Sequence, residues 1–243
     1  MVARPRLARQ RVTSRALLLR RVAVGEADLV VTLFTERLGA VSAVARGARR
    51  SARRFPALEP VHLLQVVLSL PDGAELGALL EARLDRPRLA LVGALDSLDA
   101  AGRILRWLRA LAPARTAEPA LWDEVNRVLD ALDQPDAPAR AEALLAASGL
   151  RLLAAAGWGL ELARCVSCER ACPSGASVRI DVDAGGVVCR ACGGGPLGLR
   201  ARQRAWMLGA MAGAEEPAGA GDVAAALAVV GQAMAVHGGE GRG

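Results

Sequence analysis

Near residues 84–88 the spacing of apolar side chains changes, and that change divides the chain. Before it, runs rich in β-branched residues alternate with turn residues, the pattern of half-buried strands. After it, Leu91, Leu95, Leu98, Leu105, Leu108 and Leu111 recur at helical spacing until Pro113 stops the run. The sequence therefore predicts two domains, residues 1–84 and residues 88–243, within a chain of 243 residues, long enough for each to bury its own core. In the first, Asp28 to Thr35 and Ala40 to Arg46 form a hairpin around the turn Glu36-Arg37-Leu38-Gly39. A loop follows from Gly47 to Arg54, and then Val61 to Leu70 makes an apolar strand. Leu76 to Leu84 fits either a last strand or a short helix. Five short strands suit a small closed barrel. In the second domain Pro119–Leu132, Ala139–Ala156, Leu199–Ala212 and Asp222–His237 read as helices, so the expected class is α+β, a small β-barrel followed by an all-α domain.

Charge is distributed as unevenly as periodicity. The first 54 residues hold thirteen arginines against Glu26, Asp28 and Glu36, a net +10, whereas the whole chain is only +6. The chain contains no lysine, so compositional bias explains why the basic residue is arginine; it does not explain why acids are missing from the same stretch. A confined field of guanidinium groups, each a planar fork of donors matched to phosphate oxygens, points to a nucleic-acid partner. The residues placed on that surface are Arg20, Arg21, Arg37, Arg46, Arg49, Arg50, Arg53 and Arg54. With no tyrosine, and only Phe34 and Phe55 among the aromatics of the basic region, base stacking has little to work with and phosphate contacts must dominate.

Cys165-Val-Ser-Cys168 and Cys189-Arg-Ala-Cys192 are two C-x2-C pairs with twenty residues between them. Two-residue spacing lets both thiolates of a pair turn toward one ion, and two pairs complete the tetrahedral sulfur shell that zinc prefers. Val178 to Val188 can supply the hairpin of a zinc ribbon, and Gly193-Gly194-Gly195 gives backbone freedom beside the metal. The fifth cysteine, Cys172, fits either a substitute for Cys168 or a free thiol nearby. An odd count and no export signal argue against disulfides. Four thiolates leave no open position for an activated water, so the zinc is expected to be structural, clamping the segment at about 162–197 within the helical domain.

Nothing in the sequence resembles a catalytic constellation. His62 and His237 lack neighbouring nucleophiles or carboxylate patterns, and neither a phosphate-binding P-loop nor a dinucleotide-binding turn is present. The apolar stretch Val223 to Val236 is interrupted by Gly231 and Gln232 and reads as too short to cross a bilayer. Met1 to Arg21 has the arginine-rich, acid-poor character of an organelle transit peptide, but the basic character persists to Arg54, well past a presequence. The cytoplasm, in association with the nucleoid, is the expected location.

The run Gly25-Glu26-Ala27-Asp28-Leu-Val-Val-Thr-Leu-Phe34-Thr35-Glu36-Arg-Leu-Gly39, followed by Val44-Ala45-Arg46-Gly47-Ala48-Arg49-Arg50, resembles the N-terminal signature of the bacterial RecO recombination mediators. A basic barrel, a helical domain and a four-cysteine module in its second half are similar to the zinc-bearing members of that family. The resemblance implies an OB-fold N-terminal domain that binds single- and double-stranded DNA, annealing of complementary strands, and help in loading the RecA recombinase onto DNA covered by single-strand-binding protein. The partners it implies are RecR and single-strand-binding protein. Arg46, Arg49 and Arg50 fall on the family's basic loop, and Cys165, Cys168, Cys189 and Cys192 on its zinc ligands. The family loop often mixes lysine with arginine, which this chain does not. Two other readings of the residues remain open: a zinc-clamped protein-interaction adaptor with weak nucleic-acid tethering, and an RNA-binding module.

Overall fold

The computed structural model of the chain describes residues 9–51, 54–55, 58–71, 75–214 and 217–237. They fall into two compact units, one of Met1–Leu89 with Ala112–Trp122 and one of Ala90–Leu111 with Asp123–Gly243.

The first unit holds β1 (Arg9–Val24), β2 (Asp28–Thr35), β3 (Gly39–Ala45), β4 (Leu63–Pro71) and β5 (Leu76–Arg86). The segment at residues 76–84, open between strand and helix in the sequence, is therefore a strand. β1 is long enough to serve two neighbours: Arg9 to Ala16 pair with β4, and Ala16 to Val24 pair with β2, with a bulge between Leu18 and Arg20. β2 pairs with β3, β3 runs parallel to β5, and β5 returns to β4, so the pairings follow a closed ring, β1-β2-β3-β5-β4. Alternation does the rest. Val12, Ala16, Leu18, Val31, Leu33 and Val41 point to one side of the ring and are among the residues of a core that buries them almost completely. Residues from Arg9 onward, part of the stretch that resembles a transit peptide, thus belong to the sheet.

Leu17 and Phe34 face each other across β1 and β2 on the opposite side, yet both are fully buried. On this side Ala112–Trp122 packs against Phe34. The Trp122 ring centroid lies 5.9 Å from that of Phe34, and the Arg15 guanidinium lies 5.9 Å from the Trp122 ring. The same segment docks by its backbone: the Ala40 amide donates to the Pro113 carbonyl at 3.1 Å and the Arg115 amide donates to the Ala40 carbonyl at 2.9 Å. Gly39 makes this approach possible. Its φ is +63°, and a Cβ there would run into the Thr116 carbonyl. The boundary read from the sequence near 84–88 gives no hint of this return.

The second unit contains α2 (Leu95–Leu111) after the short α1 (Leu89–Gly93), then α3 (Pro119–Leu132), α4 (Ala141–Ala155), α5 (Ala201–Met211) and α6 (Ala220–His237), α1 and α3 each being divided between the units. α4 is apolar on nearly every side, from Leu144 and Leu145 to Leu152 and Leu153, because α2, α5 and α6 all pack on it. At Gly149 the crossing is so close that a Cβ would sit 2.6 Å from Val230 Cγ1 and 3.0 Å from Trp107 Cζ3. The single leucine face read from Leu91 to Leu111 is corrected. Leu91, Leu105 and Leu108 are buried, but Leu95 is 82% exposed and Leu98 39%, and α2 buries Ala100, Ala101 and Ile104 instead.

α6 has 18 residues, longer than the apolar stretch read from the sequence, and is long and apolar enough to cross a membrane by length and composition alone. Here Val223, Ala226, Val229, Val230, Ala233 and Met234 are buried, and α6 packs on α4 and α5. Both histidines sit in packed surroundings. His62 Nδ1 accepts the Arg88 amide at 3.1 Å, and the His237 ring stacks on Trp158 with centroids 4.3 Å apart.

Candidate metal centre and nucleic-acid interface

Between α4 and α5 a small sheet of β6 (Glu161–Cys165), β7 (Val178–Asp181), β8 (Gly186–Val187) and β9 (Leu197–Leu199), in the order β6-β8-β7-β9, carries the cysteines. β7 and β8 form the hairpin read between the two cysteine pairs. Cys165 closes β6, where the chain turns sharply. The Glu169 amide donates to the Cys165 carbonyl at 2.8 Å, the Cys165 amide donates to the Arg170 carbonyl at 2.9 Å, and Glu169 takes a left-handed φ of 58°. The second pair spans a 3-10 turn at Arg190–Cys192, released by Gly193 with φ of 105° and Gly194 with φ of 72°. The two turns are joined directly, because the Cys189 amide points at Cys165 Sγ at 3.3 Å.

The four sulfurs of Cys165, Cys168, Cys189 and Cys192 all lie within 4.8 Å of one another, placed to hold a metal ion. Cys165 is buried and its thiol is pulled down to about 6, first by the Cys189 amide and then by the amides of Ser167 and Cys168, which favour a thiolate. Cys192 is pushed up to about 12, first by hydrogen bonds of its thiol to Cys189 and Cys168, then by burial, and least by the charge of Cys165. Cys172 stands outside the four. Its amide donates to the Ala163 carbonyl at 2.8 Å.

Sequence reasoning missed Arg204. On α5 it is only 5% exposed, and its guanidinium donates to the carbonyls of Leu162 at 2.7 Å, Pro173 at 2.8 Å and Cys172 at 3.0 Å. One planar fork thus fastens the first cysteine turn to the helix that follows the module. No local signal marks it, since Arg200 and Arg202 nearby are exposed.

The basic surface is more finely divided than a charge count suggests. The turn after β3 folds onto the β1–β2 turn: Gly47 donates its amide to Asp28 Oδ1 at 2.8 Å and Arg49 its amide to the Ala27 carbonyl at 3.0 Å. This brings together Arg46, Arg49 and Arg50, with Arg50 paired to Glu26 at 2.9 Å and Arg49 reaching the Gly25 carbonyl at 3.4 Å. Arg20 shares a face with Arg46, since Arg20, Thr32 and Ser42 align across three strands and Arg46 lies two alternations beyond Ser42. Arg20 and Arg46 are exposed and make no ion pair among the described residues. Val22 and Val24, 42% and 48% exposed, follow Arg20 along the same strand.

The other arginines lie elsewhere. Arg37 is in the β2–β3 turn, at the far end of an eight-residue strand, roughly 25 Å from the Gly47 turn at about 3.3 Å per residue. There it donates to the Thr13 carbonyl at 3.3 Å. Arg21 is engaged with the Leu58 carbonyl at 2.8 Å and with Glu59 at 3.0 Å. Arg54 donates to the Leu80 carbonyl at 3.0 Å and lies 5.2 Å from the Phe55 ring. Arg53 lies outside the described residues. These exposed pairs are weak enough to exchange for another anion.

Residues 9–88 match the family model described as recombination protein O N terminal, and residues 93–241 match that described as recombination protein O C terminal. Curated relatives carry the name DNA repair protein RecO. The protein from Anaeromyxobacter sp. (strain K) is 38% identical over 76% of this chain and 72% of its own length. That from Rubrobacter xylanophilus is 32% identical over 74% and 70%, and that from Geobacter metallireducens is 32% identical over 69% and 67%. With both units matched in order, a ring of strands and then helices enclosing a four-cysteine centre, the chain belongs to the RecO family of DNA repair and recombination proteins.

Proposed function

We propose that this chain is a recombination mediator whose strand unit, an OB-fold, binds single- and double-stranded DNA and anneals complementary strands. The observation that carries the reading is the meeting of Arg46, Arg49 and Arg50 at one turn, with Arg20 on the adjoining face, in a chain of the RecO family. Guanidinium groups on phosphates give affinity without sequence preference. Two strands that repel each other in solution are held close on one positive surface, and base pairing supplies the free energy without ATP. Arg21, Arg37 and Arg54 give further phosphate contacts away from this cluster, exchanging their present partners for phosphate. Exposed Val22 and Val24 offer apolar contact where aromatic stacking is scarce.

The ion of the cysteine centre is zinc in this reading. Four sulfurs at about 2.3 Å from a tetrahedral zinc stand about 3.8 Å apart, and the Cys168 and Cys189 sulfurs are 3.8 Å apart. When bound, it supplies cross-linking of the two turns and no chemistry on a substrate. We further place the protein in the cytoplasm with the nucleoid, working with RecR and single-strand-binding protein to load RecA. Of the two domains of the sequence reading, the first carries this DNA surface and the second carries the structural cysteine centre.

The test is a salt titration of single-stranded DNA binding with Arg20, Arg46, Arg49 and Arg50 all changed to Ala. At about 0.7 per phosphate contact the log–log slope flattens by up to about 3, and annealing of complementary oligonucleotides slows in parallel. An unchanged slope removes this surface from the DNA interface.

A further inference from the structure

The second unit holds two sizeable cavities with different electrostatics. One, of about 1070 Å³, is lined by Arg103, Arg127, Arg140 and Arg151 but also by Asp96, Asp99 and Glu142. Its charges are internally matched: Glu124 beside it accepts from Arg127 at 2.7 Å and Arg151 at 3.0 Å. The other, of about 520 Å³, lies beside the second cysteine turn and is lined by Arg170, Arg179, Arg190 and Arg200 with no carboxylate at all.

That imbalance belongs to the cavity lining and not to the whole module, which also carries Glu161, Glu169, Asp181 and Asp183, and two of these acids are committed to backbone amides. Asp181 Oδ1 accepts the amides of Asp183 and Ala184, and Glu161 Oε1 accepts those of Ala163 and Arg164. Arg170 and Arg190 are exposed and make no ion pair among the described residues. Arg179 is held in place, its Nη2 donating to the Pro196 carbonyl at 2.9 Å and its Nε to the Gly195 carbonyl, which leaves Nη1 for a ligand. Between the arginines, Val178, Val188 and Leu199 give the cavity an apolar floor. Four like charges around one concavity repel one another and are relieved by an anion. An apolar floor under guanidinium forks suits a ligand with ionised oxygens on one side and a sugar or base face on the other.

We propose that this cavity is a second phosphate-binding site, which receives a phosphodiester segment of a nucleic-acid strand between Arg170, Arg179, Arg190 and Arg200. It rests on the reading of the chain as a DNA-binding protein and adds to it a contact outside the strand unit. A strand presents a phosphate at every nucleotide, so arginines at several rim positions meet consecutive charges, whereas a peptide needs an unbroken acidic run to do the same. Two separate phosphate sites on one chain give each of two strands its own hold.

The experiment compares three full-length proteins in salt-titrated binding of an oligodeoxynucleotide: wild type, the double variant Arg170→Ala/Arg190→Ala, and the triple variant Arg46→Ala/Arg49→Ala/Arg50→Ala. The double variant is expected to flatten the log–log slope by about 1.4, two contacts at about 0.7 each, and the triple variant by about 2. A double-variant slope equal to wild type overturns this inference and leaves the strand-unit reading standing if the triple variant still flattens. If an Asp- and Glu-rich peptide also loses binding in that unchanged double variant, the cavity is reassigned to an acidic protein segment. Flattening in the double variant alone keeps the cavity and removes the strand-unit surface. Because Arg190 lies between two cysteine ligands, a readout on wild type is added. Cys172 lines the cavity and stands outside the metal shell, so bound oligonucleotide slows its alkylation, mapped by mass spectrometry. Undiminished alkylation at saturating oligonucleotide overturns the inference whatever the variant does.

Discussion

Glu36 occupies the β2–β3 turn, where Arg15 donates to both of its carboxylate oxygens. The Arg15 hydrogen bond holds its carboxyl below the usual carboxylate range, with Arg15 and Arg37 adding electrostatic attraction. A lowered folded-state pKa contributes stability that is fully present above the unfolded value and is lost as pH falls through the folded one. Since both side chains are more than a third exposed, Glu36→Gln should cost only about 0.5 kcal/mol at neutral pH, and urea midpoints of variant and wild type should converge as the buffer is made acid. Gly39, three residues on, is far less tolerant. Gly39→Ala combines a left-handed φ with collision against the Thr116 carbonyl, and about 3 kcal/mol or more of lost stability is expected in equilibrium unfolding. The turn residues were legible in the sequence as a turn, and their spacing placed β2 at Asp28–Thr35. The collision was not, because nothing near Gly39 announces a segment more than seventy residues away.

At the level of elements, alternation and helical periodicity report how a segment buries itself, and they place α3 at Pro119–Leu132 as read. They fail where burial is decided by a distant neighbour. Leu95 continues a leucine rhythm and still faces outward, while Arg204, which any charge reading puts in water, sits inside on three carbonyls. Those carbonyls make Arg204→Met a sharp test. Methionine keeps the stem but strands the buried Leu162 carbonyl and two half-buried ones that water can reach, so a loss of about 2 kcal/mol is expected, seen as faster amide exchange in β6 and around Cys172 while α4 stays protected. Arg204→Lys should restore only part of that protection, since one ammonium does not reproduce a planar fork.

For the whole molecule, the cysteine centre was the most legible feature, since ligand spacing is a local property and two pairs specify one another. The grouping of the arginines was only half legible: the sequence placed them near one another, whereas the hydrogen bonds between the Gly47 and Gly25 turns decide that Arg46, Arg49 and Arg50 meet and that Arg37 does not. Changing Cys165 and Cys168 to Ser should abolish stoichiometric metal binding, measured by elemental analysis, and raise amide exchange throughout Glu161–Leu199. Exchange in the strand ring should stay as it is, because its core residues come from β1 to β5 and their flanking turns. Normal metal content in that variant would refute the ligand assignment.

The docking of Ala112–Trp122 beside β2 and β3 also bears on synthesis. A nascent chain that has emerged only as far as β5 still lacks the tryptophan that packs against Phe34 and the backbone that meets Ala40. The ribosome must therefore deliver α2, a helix of the other unit, before the first unit can be completed. A gene fragment ending after β5 is expected to yield a sticky, incompletely closed product, whereas one that supplies residues 112–122 as a separate peptide should rescue its solubility.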